Sequence, residues 1–78
     1  MNVEHLVTMA NQIADFFDSE AGPEAAPKEI AGHITKFWAP RMRAAYIEHV
    51  ANGGTGLRPS AAAAAALLKP VPSATAQA

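Results

Sequence analysis

The three histidines are the first residues to weigh for chemistry, because imidazole binds metal ions and transfers protons near neutral pH. His5, His33 and His49 form neither an HxxxH nor an HExxH pair, the spacings that place two metal ligands on one helix face. The chain has no cysteine, so it can form neither a disulfide nor a thiolate metal site. We therefore expect no metal site, with His33 and His49 at the edges of apolar helix faces.

Catalysis through a serine or a carboxylate pair has no better support. Ser19, Ser60 and Ser73 fall in predicted loops or in the C-terminal tail, and the acids lie on polar helix faces or in a loop. A helical chain of 78 residues is small for a substrate pocket, which usually needs roughly 300 Å³. The glycine-rich run 53–56 follows a helix, whereas phosphate loops precede one. We predict a helix C-cap and turn there, and no active site or small-molecule substrate.

The segment 36–43, with sequence KFWAPRMR, has the composition of a protein-binding site. Trp, Arg and Met are enriched where proteins bind proteins, and a bend at Pro40 concentrates them within about two helical turns. Alternatively, Phe37 and Trp38 fill the chain's own core and the arginines pair with acids of the first helix. Arg43 projects from an apolar face, so it needs a partner of one kind or the other.

The first helix is predicted over about 3–18, with an apolar arc centred on Leu6, Ala10, Ile13 and Phe17. Met9 and Phe16 extend this arc to nearly half of the helix surface, which is more than one neighbouring helix covers. Either two helices of the chain cover it, or Met9 and Phe16 face another protein.

Two further helices are predicted over about 27–38 and 40–51, separated by a sharp bend because Pro40 excludes Ala39 from the helical region. Ser60 is a candidate N-cap for a fourth helix of six alanines, which offer nothing to pack with. We expect an all-α fold: a small three-helix, bundle-like domain over 1–59, then a possible weak alanine-rich helix and a disordered tail over 60–78.

Composition limits the core that this chain can build alone. Half of the chain is hydrophobic, but 19 of those 39 residues are alanine. Residues 1–29 carry six acids against one base, and residues 30–78 carry five bases against one acid. Either an acidic helix packs against a basic one, or a basic patch serves an acidic partner. Because the chain has few large apolar side chains, we expect it to complete its hydrophobic packing against a partner.

Other classes of protein do not fit the sequence. No apolar run reaches 18 residues, which argues against a membrane span, and the N-terminus lacks the basic region of a secretory signal. The absence of cysteine is typical of a cytoplasmic protein. A net charge of −1 gives little electrostatic basis for binding nucleic acid.

Three blocks of the sequence resemble the delta subunit of bacterial NAD-dependent formate dehydrogenases. They are LVTMANQIADFF over 6–17, IAGHITKFWAPRMR over 30–43 and GGTGLRP over 53–59. The FWxPRMR block is the most specific, and the likeness covers about 5–59. The resemblance implies a cytoplasmic complex in which alpha, beta and gamma subunits carry a molybdenum or tungsten bis-pterin cofactor, iron–sulfur clusters and FMN. It implies no cofactor for the delta subunit.

We therefore expect a non-catalytic accessory subunit that binds the large subunits. The residues expected to make the contact are Met9, Phe16, Trp38, Arg41 and Arg43. Two alternatives remain open: a dissociable chaperone for assembly or cofactor insertion in the same enzyme, and a small helical module that binds nucleic acid.

Overall fold

The computed structural model describes residues 2–68, which form four α-helices and no strand. They are α1 (Val3–Glu20), α2 (Ala26–Phe37), α3 (Pro40–Ala51) and α4 (Pro59–Ala65). The all-α prediction is confirmed. The predicted disordered tail beyond residue 68 lies outside the described residues.

The helix ends follow local signals in the sequence. The Asn2 side chain accepts hydrogen bonds from the backbone N–H groups of Glu4 and His5, at 2.8 and 3.4 Å, and so caps α1. Gly22, with φ of +85°, turns the chain between α1 and α2. Both helices extend slightly further into this loop than the periodicity predicts.

The bend before Pro40 is confirmed, and it changes the direction of a large side chain. Helix α2 ends at Phe37, and both Trp38 and Ala39 have extended backbone angles. Helix α3 then begins at Pro40, where the missing N–H leaves no hydrogen bond unmade. Because Trp38 has left the helix, it does not continue the stripe that contains Phe37.

The glycine-rich run after α3 is the C-cap and turn that its position predicts. The Gly54 N–H donates to the His49 carbonyl at 2.9 Å, and Gly53 and Gly54 both have positive φ. A ring nitrogen of His49 lies 3.0 Å from the Thr55 carbonyl. This loop connects α3 to α4.

Helix α4 differs from the expectation of a weakly held element. Ala61 and Ala64 are fully buried, and Ala65 and Leu68 also lie in the core. The alanines pack against α2, because side chains this small let two helix backbones approach closely. Ser60 does not cap the helix as predicted, since its hydroxyl instead donates to the Asp18 carboxylate at 3.0 Å.

The core combines small residues with a few large ones. Ile30, Ile34 and Tyr46 are the largest side chains with essentially no exposure. The Trp38 and Tyr46 rings pack edge to face with centroids 5.5 Å apart. The Tyr46 hydroxyl donates to the Ala61 carbonyl, which ties α3 to α4.

Polar contacts fasten α1 to the segment that leads into α4. The Asn11 side chain donates to the Gly56 carbonyl and accepts from the Arg58 N–H, both at 2.9 Å. The Arg58 guanidinium forms a two-point ion pair with Asp15. The acidic first half and the basic second half of the chain therefore do meet within the molecule.

Candidate interaction surface

Two phenylalanines are far more exposed than a small core-poor domain usually allows. Phe16 on α1 is 59% exposed and Phe37 on α2 is 72% exposed. Each would contribute roughly 1.5–3 kcal/mol if a partner buried it. Phe37 is the last residue of α2, and apart from a contact with the His33 ring it is open to solvent.

The exposed rings belong to a continuous row of aromatic side chains that crosses from α1 to α2. The Phe16 and Phe17 centroids lie 5.0 Å apart, nearly perpendicular to each other. The Phe17 ring lies 6.4 Å from His33, whose ring is 4.8 Å from Phe37. These contacts place the four rings next to one another, so that they form one aromatic strip across α1 and α2.

Two hollows flank the contact between Phe17 and His33, and both residues line each of them. The first hollow, of about 260 Å³, is almost entirely apolar, and the second, of about 380 Å³, opens among charged side chains of α2. We call the two together the aromatic groove. Its lining residues are Gln12, Ile13, Phe16 and Phe17 of α1, and Lys28, Glu29, Gly32, His33, Lys36 and Phe37 of α2.

The five residues expected at a partner contact do not form one patch. Phe16 alone among them lines the aromatic groove. Met9 is half-buried and packs against the core, so the wide apolar arc of α1 is partly covered from within. Arg41 is exposed in the first turn of α3.

Trp38 is 5% exposed and belongs to the core, so the alternative that placed it inside the chain describes the structure. The same alternative placed Phe37 inside, and there the structure differs. Phe37 is the last residue of α2 and stays largely exposed, whereas Trp38 follows on extended backbone and its ring packs on Tyr46.

Arg43 has a partner within the chain. Its guanidinium donates to the Trp38 carbonyl at 2.9 Å and to the Thr35 carbonyl at 3.4 Å. These carbonyls lie at the end of α2, where the helix leaves acceptors unpaired and its dipole favours a cation. Arg43 therefore stabilises the bend between α2 and α3.

The sequence did not single out Phe37, Gly32 and His33 as one surface. Two spacings could have indicated it: His33 and Phe37 are four residues apart, and Phe16 and Phe17 stand side by side on the facing helix. The sequence does not indicate that α1 packs against α2 at these residues, or that the Trp38 side chain turns into the core.

A third hollow, separate from the aromatic groove, lies beside the start of α4. It has a volume of about 480 Å³ and is lined by three prolines with Asp18, Ser60 and Ala63. One carboxylate oxygen of Asp18 accepts from Ser60, and the other is buried without a hydrogen-bond partner. Because Asp18 holds α4 through Ser60, its evident role is structural.

The remaining titratable groups also serve the fold. Hydrogen bonding from Arg58, helped by its charge, lowers the pKa of Asp15, and the same pair raises the pKa of Arg58. Burial raises the pKa of Tyr46 to about 12. Among residues 2–68, no three His, Asp or Glu side chains converge as a metal site would require.

No helix in the described part of the chain has the length and apolar character needed to span a membrane.

The fold and the groove define a class: a small helical module whose most distinctive surface feature is an exposed aromatic face. A family model for the NADH-dependent formate dehydrogenase delta subunit, FdsD, matches residues 5–65, and the chain belongs to this family. The match extends through α4, beyond the three sequence blocks that carry the resemblance and end at Pro59. No curated protein and no solved structure gave a significant match.

Proposed function

We propose that the chain is a non-catalytic accessory subunit of a cytoplasmic NAD-dependent formate dehydrogenase. It binds the large subunits that convert formate and NAD⁺ to CO₂ and NADH, and it stabilises them or helps them assemble. The observation that carries this proposal is the exposure of Phe16 and Phe37 in one aromatic row on a chain of the delta subunit family. Exposed rings of this kind are typical of surfaces that a partner covers.

A structural role also agrees with how the chain uses its polar side chains. Arg58 pairs with Asp15, Ser60 donates to Asp18, and Arg43 caps the end of α2. These groups are engaged in holding four helices together. In our proposal the alpha, beta and gamma subunits carry the pterin cofactor, iron–sulfur clusters and FMN, and this chain carries none.

The residues proposed to touch the large subunits are revised from the sequence-based set. Phe16 and Phe37 make the central contact, and the exposed guanidinium of Arg41 lies in the adjoining first turn of α3. Met9, Trp38 and Arg43 act indirectly, because they fix the helices that carry the exposed rings. The first group is proposed to contact the partner, and the second group stabilises the fold that presents it.

Co-purification tests the proposal. The chain is expressed with the alpha, beta and gamma subunits, and its amount in the purified enzyme is compared for the wild type, Phe16→Ser with Phe37→Ser, and Leu67→Ser. Leu67 is a matched control because it is 57% exposed and does not line the groove. We expect the double variant to lose most of the bound chain while Leu67→Ser retains it. Equal retention of both variants would contradict the proposed contact.

Stoichiometry in the active complex distinguishes a stable subunit from a dissociable chaperone. A stable subunit gives one delta chain per catalytic assembly, and a chaperone gives a substoichiometric amount. Nucleic-acid binding would use Lys36, Arg41, Arg43 and Arg58, and it has less support than either role because Arg43 and Arg58 are engaged within the chain. A salt-dependent affinity for DNA or RNA would reopen that alternative.

A further inference from the structure

Gly32 occupies a position where a glycine is costly and nothing in the chain requires one. It lies in the interior of α2 with ordinary helical geometry, and it is exposed. A Cβ atom built there would meet nothing within 4 Å. Glycine in a helix interior destabilises by roughly 0.5–1 kcal/mol relative to alanine, so the chain itself would be more stable with another residue.

The surroundings of Gly32 give the site a chemical character. Gly32 lines the second hollow of the aromatic groove together with Phe17 and Phe37. Lys28 and Lys36 lie one helical turn before and after it, on the same face of α2, and both are exposed. Glu29 is the one carboxylate that lines the groove. The hollow therefore combines aromatic and polar surface, with an ammonium group on either side of Gly32.

We infer that the backbone of an apolar segment from one of the large subunits crosses α2 at Gly32, with acidic side chains paired to Lys28 and Lys36. This inference rests on the proposed function and specifies the chemistry of the segment that the aromatic groove receives. Glycine is the residue that lets another backbone approach a helix closely, and two lysines one turn away on either side complement carboxylates.

A second copy of the chain fits this surface less well. In a two-fold symmetric contact centred on Gly32, the same patch would face itself. The lysines of one copy would then lie near those of the other, and like charges across an interface oppose binding. The groove therefore favours a different, acidic partner.

The test uses Gly32→Ala and Gly32→Leu in the full-length chain. Affinity is measured against purified alpha, beta and gamma subunits prepared without it. Because the added Cβ meets open space, we expect Gly32→Ala to raise the Tm of the free chain by about 4 °C. We expect the same variant to bind a few-fold more weakly, and Gly32→Leu to bind at least tenfold more weakly. A variant that is more stable alone but binds less well cannot be explained by misfolding.

Charge variants test the second half of the inference. Lys28→Glu with Lys36→Glu should weaken binding at least tenfold at low salt, and high salt should reduce this difference. The neutral pair Lys28→Gln with Lys36→Gln should fall between the wild type and the reversed charges. Glu48→Leu on α3, an exposed position that does not line the groove, is the matched control and should bind normally.

The outcomes separate failure of this inference from failure of the proposed function. If the wild-type chain does not bind the large subunits, the proposed function is wrong and the inference falls with it. If the wild type binds and both Gly32 variants and the lysine variants bind equally well, the inference alone is wrong. Sedimentation completes the test: a dimer that Gly32→Leu abolishes would assign the groove to a second copy and overturn the acidic partner.

Discussion

Helix α2 has two faces that are built in opposite ways. The inner face carries Ile30, Ala31 and Ile34, which pack on the alanines of α4 and are almost fully buried. We call the residues of α2 that line the aromatic groove its outer face; they include His33 and Phe37, and Phe37 is largely exposed at the end of the helix. Phe37, a large aromatic residue, thus stays at the surface while the smaller isoleucine and alanine side chains of the same helix are buried.

Within the twelve residues of α2, one set of side chains therefore stabilises the fold and another set is available to a binding partner. Small residues allow α2 and α4 to approach closely, so the chain closes a core with few large side chains. The large rings that it does not bury remain available to a partner. Substitutions on the two faces should therefore have different consequences, and the following predictions run from the largest expected effect on stability to the smallest.

Replacing Trp38 should produce the largest loss of stability. Trp38→Ala removes a core ring packed edge to face on Tyr46 and leaves a cavity, which costs about 4 kcal/mol in the free energy of unfolding. Urea denaturation of the free chain followed by circular dichroism measures it. Binding to the large subunits should decline in parallel with the folded fraction. Normal stability combined with lost binding would place Trp38 on the binding face instead.

Enlarging an alanine of α4 should be the next most damaging change. Ala64→Leu forces a larger side chain into the closest helix contact, where Ala64 has no exposure, and should cost about 3 kcal/mol. Ala63→Leu, one residue away and exposed, should change the free energy of unfolding by less than about 0.5 kcal/mol. Equal unfolding midpoints for the two variants would show that α4 does not belong to the core.

Alkaline pH should destabilise the hydrophobic core through Tyr46 of α3. Its pKa is raised by burial from 10.0 to about 12, so the unfolded chain releases the proton first. The contribution of Tyr46 to the free energy of unfolding should be constant below pH 10 and should fall by roughly 2 kcal/mol as the pH rises to about 12. The near-ultraviolet absorbance of the single tyrosine reports its ionisation. Tyr46→Phe should lose this pH dependence.

Replacing Phe37 should have the smallest effect on the free chain. Phe37→Ser removes a ring that is 72% exposed, and the free energy of unfolding should change by less than about 0.5 kcal/mol. The measurement is the same urea titration used for Trp38→Ala. A loss comparable to that of Trp38→Ala would mean that the outer face also holds the fold, and the contrast between the two faces would disappear.

Much of the fold could be predicted because its signals are local. Asn2, Pro40 and the glycines after α3 set helix ends through their own backbone chemistry, whatever packs around them. The packing of α4 could not be predicted in this way. A run of alanines does not indicate which side of the helix is buried. Whether alanines form a close helix contact depends on which helix lies opposite them.

The site was predicted less completely, for a related reason. Phe16 was identified because its position exceeds the apolar arc that one neighbour can cover. Phe37 and Trp38 are adjacent aromatic residues, and their types alone do not indicate that Trp38 is buried while Phe37 is largely exposed. The partner of Arg43 is a set of backbone carbonyls, which no side-chain pattern reveals.

The central claim is that the outer face of α2 contacts the large subunits. Photo-cross-linking tests it most directly, with benzoylphenylalanine introduced at position 37 of the full chain within the assembled complex, and at position 67 as the exposed control. The account predicts a cross-link to a large subunit from position 37 and little from position 67. Efficient cross-linking from 67 with none from 37, in a complex that contains the chain, would contradict it.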